Sequence, residues 1–193
     1  MMAAIMQKRL KVVVLAGLFL GAVLGMAGTL VSSPILRDEL WAIDSTALVV
    51  STVVLALYFF RQGCDAVAAG FLVYAIGEAV MLGGTASPLA ASVPAFAAGT
   101  ALWAAGLALT SGPPVMPIWS RGSGAVAAIL FGYTSLRIFA GMPLTPLSRP
   151  FPYFAYPFLV LTFAGWFWKT ASTGESGTGK PLPGARWPQE RQS

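Results

Sequence analysis

Apolar residues run along this chain in long blocks, without the two-residue alternation of a half-buried strand or the narrow stripe of a surface helix. Six blocks approach the ~20 residues a helix needs to cross a bilayer at ~1.5 Å per residue. They cover Lys11–Val31, Trp41–Phe60, Cys64–Gly83, Pro88–Ser111, Gly122–Gly141 and Phe151–Trp168. The connections at 32–40, 61–63, 84–87, 112–121 and 142–150 are too short to hold a water-soluble domain. The pattern predicts an all-α fold, a polytopic integral membrane bundle of six transmembrane helices within 1–169. Residues 170–193 mix Ser, Gly, Pro and charge and are expected to form a disordered cytoplasmic tail, since they bury too little apolar surface to offset ordering.

Charge supports the count of spans and gives them a direction. Lys and Arg gather on the cytoplasmic side of membrane proteins. With the N-terminus inside, Lys8, Arg9, Lys11, Arg61, Arg121, Lys169, Lys180, Arg186 and Arg191 fall on that side, and only Arg37 and Arg149 on the other. Both termini are therefore expected in the cytoplasm, in a bacterial inner membrane. Aromatic residues agree, with Trp41, Tyr153, Phe154 and Tyr156 at the outer boundary and Tyr58, Phe59, Trp119 and Trp168 at the inner one. The net charge of +5 then reflects orientation, and no nucleic acid is expected as a partner. The first block resembles a secretory signal, but it extends beyond the usual h-region and is read as a retained span.

Composition narrows the chemistry. Hydrophobic residues make up 56% of the 193 and charged residues 10%, and mean hydropathy is +0.74. A soluble domain carries about 25% charged residues. There is no histidine and one cysteine, Cys64. Haem ligation through His, His-based zinc or iron sites, Ser/His or Cys/His nucleophilic pairs and CxxC redox centres are all closed. No cofactor, no metal and no catalytic residue is expected. Gly174, Gly179 and Lys180 imitate the start of a phosphate-binding loop, but Pro181 stands where Ser or Thr would hold magnesium, so no nucleotide is expected.

Two features stand out against the apolar background. Gly17, Gly21 and Gly25 recur every four residues and make one smooth helix face, suited to close packing against another helix of the chain, a second copy or a membrane-complex partner. Segments 68–77 and 97–106 share Ala-Ala-Gly followed by an aromatic residue and a glycine, at an offset that common residues produce by chance.

Asp44, Glu78 and Arg137 are ionisable residues within lipid depth, where each costs ~2.5–3.5 kcal/mol at a helix centre, and such residues are functional candidates by default. The predicted helix directions place all three in one outer layer, with Glu78 and Arg137 ~6–8 Å inside the ends of their spans. Tyr74 and Tyr133 precede Glu78 and Arg137 by four residues and so share their faces. Pro94 and Pro157 lie in the same outer half, where a kink would free carbonyls. Together these residues predict a polar pocket open to the outside, with Asp44, Glu78, Arg137, Tyr74 and Tyr133 as ligand-binding residues. A small solute, an ion or a lipid headgroup would be its ligand, in binding or permeation. The alternative is a structural or assembly subunit in which a Glu78–Arg137 ion pair locks two helices. The Pro-rich segment 142–152 reads as a rigid lid over the pocket or as an interfacial anchor.

Overall fold

The computed structural model describes residues 2–85 and 87–172, with side chains described from Lys8 onward. Six α-helices follow one another: α1 (Met2–Leu30), α2 (Pro34–Arg61), α3 (Asp65–Gly84), α4 (Val93–Ser111), α5 (Ile118–Phe139) and α6 (Tyr156–Ser172), the last preceded by a 3₁₀ turn, Tyr153–Ala155. No strand occurs among the described residues. Five helices are long and apolar enough to cross a membrane; α6, at 17 residues, is the shortest. The fold is that of a polytopic membrane helix bundle. Each helix packs on its chain neighbours, and α6 closes back on α1, so the helices form an antiparallel ring. The start of α1, the end of α6, the α2/α3 turn and the α4/α5 turn share one end, the termini end. The other three connections form the far end.

Several boundaries differ from those the hydropathy pattern predicts, for local reasons. Residues 34–40 are helical, not a connection: the Ser33 side chain accepts a hydrogen bond from the Leu36 N–H at 3.4 Å, and Pro34 takes a first-turn position where its missing N–H costs nothing. Pro94 and Pro157 likewise sit in the first turns of α4 and α6 and start those helices without kinking them. Thr170, Ala171 and Ser172 continue α6, where a tail was expected. The rest of the predicted tail, Gly174, Gly179 and Lys180 included, lies outside the described residues.

Two helix ends are set by glycine. Gly63 and Gly141 have φ of +70° and +93°, a conformation that costs other residues a clash at Cβ. Around Gly141, its own N–H donates to the Ile138 carbonyl and the Met142 N–H to the Arg137 carbonyl, a Schellman closure of α5. Other helix ends are closed by cations from elsewhere in the chain. Arg37 donates to the carbonyls of Gly28 and Val31 at the end of α1, Arg121 to those of Ser111 and Gly112 at the end of α4, and Lys11 to that of Ala171 near the end of α6. Terminal carbonyls that lack intrahelical partners gain charge-assisted bonds in this way.

Glycine also sets how closely the helices approach. A Cβ on Gly17 would strike the Ser51 hydroxyl, one on Gly21 the Leu48 side chain, one on Gly25 the Asp44 carboxyl and one on Gly28 the Trp41 indole. The neighbour of the α1 glycine face is thus α2 of the same chain. Between α3 and α4 the fit is reciprocal. A Cβ on Gly106 would lie 2.7 Å from the Gly70 carbonyl oxygen and one on Gly70 2.9 Å from that of Gly106, while Gly77 and Gly99 oppose each other at 3.1 Å in both directions. Between these two crossings Tyr74 and Trp103 stack at 5.6 Å, with ring planes 9° apart. The shared pattern in segments 68–77 and 97–106 therefore has a physical meaning. In an antiparallel pair, the first glycine of one segment meets the second glycine of the other.

Candidate functional site

Aromatic rings fill the middle of the ring of helices and its termini half. Phe59 stacks on Phe71, Phe71 meets Trp166 edge-on, and Tyr74 contacts Trp103, Phe163 and Trp166. Toward the far end the rings no longer fill the interior and leave a cavity between α1, α2, α3, α4 and α6, with about 110 Å³ of space for water-sized occupants. Its mouth is edged by Asp38 from the first turns of α2, by Thr85, Ser87 and Ser92 from the α3/α4 connection, and by Pro146 from the Pro-rich segment. Tyr156 donates its hydroxyl to the Pro146 carbonyl at 3.1 Å and so ties that segment to the start of α6.

Three polar side chains of the membrane interior meet at this cavity, and backbone geometry places each. Glu78 is 1% exposed, one helical turn beyond Tyr74 on α3, and the Tyr74 hydroxyl donates to its Oε1 at 2.9 Å. The Ser45 hydroxyl, from α2, is its second side-chain partner. Asp44 stands beside Ser45 and is an electrostatic neighbour of Glu78. The missing side chain at Gly25 leaves room for its carboxyl, since a Cβ there would lie 2.8 Å from Asp44 Oδ2. Asp44 Oδ1 is buried and accepts no hydrogen bond. Asp44, Ser45 and Glu78 all line the cavity, and among the described residues no Lys or Arg does.

Arg137 and Tyr133 are elsewhere. Because the Gly141 closure ends α5 at Phe139, Arg137 lies in the last helical turn, ~3 Å from the helix end, where a cation complements the helix dipole. Its guanidinium is engaged by the Tyr133 hydroxyl and the Met142 sulfur, and its carbon centre lies 5.4 Å from the Tyr133 ring. Tyr133 is 41% exposed, on the outside of the bundle. No ion pair joins Arg137 to Glu78. Of the expected five-residue pocket, Asp44 and Glu78 line the cavity together with Ser45, and Tyr74 is buried behind Glu78 as its hydrogen-bond donor. The helix lock loses its ion pair, and the Gly17, Gly21 and Gly25 face is already covered by α2.

Trp41, Trp103 and Tyr156 complete the cavity wall, and sequence reasoning did not place them there. Trp41 carries an interfacial signal, and its indole N–H bonds the Gly25 carbonyl at 3.3 Å. Trp103 is 8% exposed and its Nε1 has no hydrogen-bond partner. The sole sequence signal for Trp103 is its position midway between Gly99 and Gly106, matching that of Tyr74 between Gly70 and Gly77.

Fold and composition define a multi-pass helical membrane protein with a cavity inside the bundle, apolar for the most part and lined by the carboxyl groups of Asp44 and Glu78. No family model, curated protein or solved structure matches the chain.

Proposed function

We propose that the chain is a small-solute binding module of the inner membrane, with its ligand held in the far-end cavity and its termini in the cytoplasm. The observation that carries this reading is Asp44: a carboxyl oxygen without a partner, on the wall of a cavity, in a helix of membrane-spanning character. A group that costly is retained where it is used. The distribution of Lys and Arg supports the orientation and, with it, a cavity mouth on the outer side.

Binding is the first step, and passage would be a separate one. Tyr74 is fully buried, and the rings of Phe71, Phe163 and Trp166 stand between the cavity and the termini end, so a solute crosses only if these rings repack.

Met81 lines the cavity and gives a direct test. In a Cys64→Ala background, Met81→Cys placed in sealed membrane vesicles of known orientation is expected to react with a small membrane-impermeant thiol reagent from the outer side only. No reaction from either side would overturn the water-accessible site. Reaction from the cytoplasmic side alone would overturn the orientation.

A further inference from the structure

The chemistry of the cavity narrows what it accepts, an inference that rests on the solute-binding reading above. Asp38, Asp44 and Glu78 stand on its wall with no basic residue among them. An anion entering this space finds carboxyl groups and, among the described residues, no Lys or Arg on the wall, and a neutral apolar solute leaves Asp44 Oδ1 as costly as before. A hard divalent cation seeks ~6–8 oxygen ligands, and no cluster of three or more His, Cys, Asp or Glu side chains exists among the described residues. The rest of the wall is aromatic and aliphatic. Phe96, Trp103, Tyr156 and Phe163 supply aromatic surface that suits a weakly hydrated cation and a carbon body.

We propose that the cavity binds a small organic ammonium group, its N–H donors directed to Asp44 and its carbon body packed among the aromatic walls. Asp44 is the recognising residue because its carboxyl lines the cavity and its Oδ1 lacks a partner, while Glu78 already accepts from Tyr74. The space of about 110 Å³ suits a small amine or the ammonium headgroup of a lipid. The two sources share this chemistry.

The test titrates the purified full chain in detergent by calorimetry with 2-phenylethylammonium, with the neutral 2-phenylethanol and with the anionic phenylacetate. Saturable binding of the ammonium compound alone is expected, weakened about 10- to 100-fold in Asp44→Asn. Glu78→Gln should weaken it less, and melting temperatures of both variants report that they are folded. Native mass spectrometry separates the sources: phosphatidylethanolamine retained by the wild type and lost from Asp44→Asn assigns the headgroup, whereas ammonium binding without retained lipid assigns the free amine. Equal binding of 2-phenylethanol, unaffected by Asp44→Asn, would overturn the ammonium proposal and leave a solute site standing. Binding of no probe and no lipid, with Met81→Cys still labelled, overturns the ammonium proposal alone. The same silence with Met81→Cys unlabelled removes both readings.

Discussion

Asp44 Oδ1 and Trp103 Nε1 are the two buried side-chain polar atoms without a partner among the described residues, and both residues line the same cavity. One is an acceptor from α2, the other a donor from α4, in a bundle whose other buried hydroxyls bond back to their own helices or across to a neighbour. That contrast separates packing from function, because an unsatisfied buried group costs about 1–3 kcal/mol and folding alone gives no reason to keep it. Asp44→Asn is therefore expected to leave the ligand-free protein as stable as the wild type or to raise its melting temperature, while it loses binding. A lowered melting temperature would mean that Asp44 serves the fold.

Glu78 should behave in the opposite way. Its carboxyl is fully enclosed and holds Tyr74 and Ser45, so its neighbours depend on it for their hydrogen bonds. Tyr74→Phe keeps the ring that stacks on Trp103 and removes only the hydroxyl donor to Glu78. A loss of about 1–3 kcal/mol is expected in thermal or denaturant unfolding, as for other buried acceptors stripped of a partner. An unchanged unfolding curve would show that the Tyr74–Glu78 bond contributes nothing net.

Glu78 and Arg137 should be energetically independent. With Arg137 engaged by Tyr133 and Met142 in the last turn of α5, the Glu78→Gln and Arg137→Gln effects on stability are expected to add within about 0.5 kcal/mol in a double-mutant cycle. Coupling of several times that size would contradict the separation of the two residues.

The membrane class, the six apolar blocks and the shared layer of Asp44 and Glu78 were legible in the sequence, because a carboxylate inside an apolar run is visible without a structure. Arg137 was misplaced for a local reason. Hydropathy carries the fifth block through to Gly141, whereas the hydrogen bonds around a positive-φ glycine stop the helix at Phe139 and bring Arg137 to its end. Ala140-Gly141-Met142-Pro143 held that signal, since glycine followed shortly by proline marks a helix end. The start of α2 was obscured in the converse way, because the charged residues Arg37, Asp38 and Glu39 look like a loop in a hydropathy profile although Ser33 and Pro34 open a helix ahead of them. A pocket was expected from the carboxylates that line it, whereas its extent and its aromatic walls left no linear trace, because they depend on how six helices register against each other.

The same register explains why two glycines of equal composition should respond to alanine in opposite directions. At Gly106 a methyl group would meet the Gly70 carbonyl oxygen at 2.7 Å and the Tyr74 nitrogen at 2.9 Å, both backbone atoms that cannot rotate away. The α3/α4 crossing would have to open, which disturbs the Tyr74–Trp103 stack and the Glu78 hydrogen bond that depends on it; the expected cost of Gly106→Ala is about 1–3 kcal/mol. Gly122 lies in the interior of α5 with nothing within 4 Å of an added Cβ, so Gly122→Ala should gain about 0.4–1 kcal/mol by restricting the unfolded chain and improving helix propensity. Measured side by side in one detergent, the two substitutions separate close helix packing from helix propensity. If Gly106→Ala proved as harmless as Gly122→Ala, the reciprocal contact of Gly70 with Gly106 would not be what holds α3 and α4 together, and the wall of the cavity that Trp103 supplies would need another support.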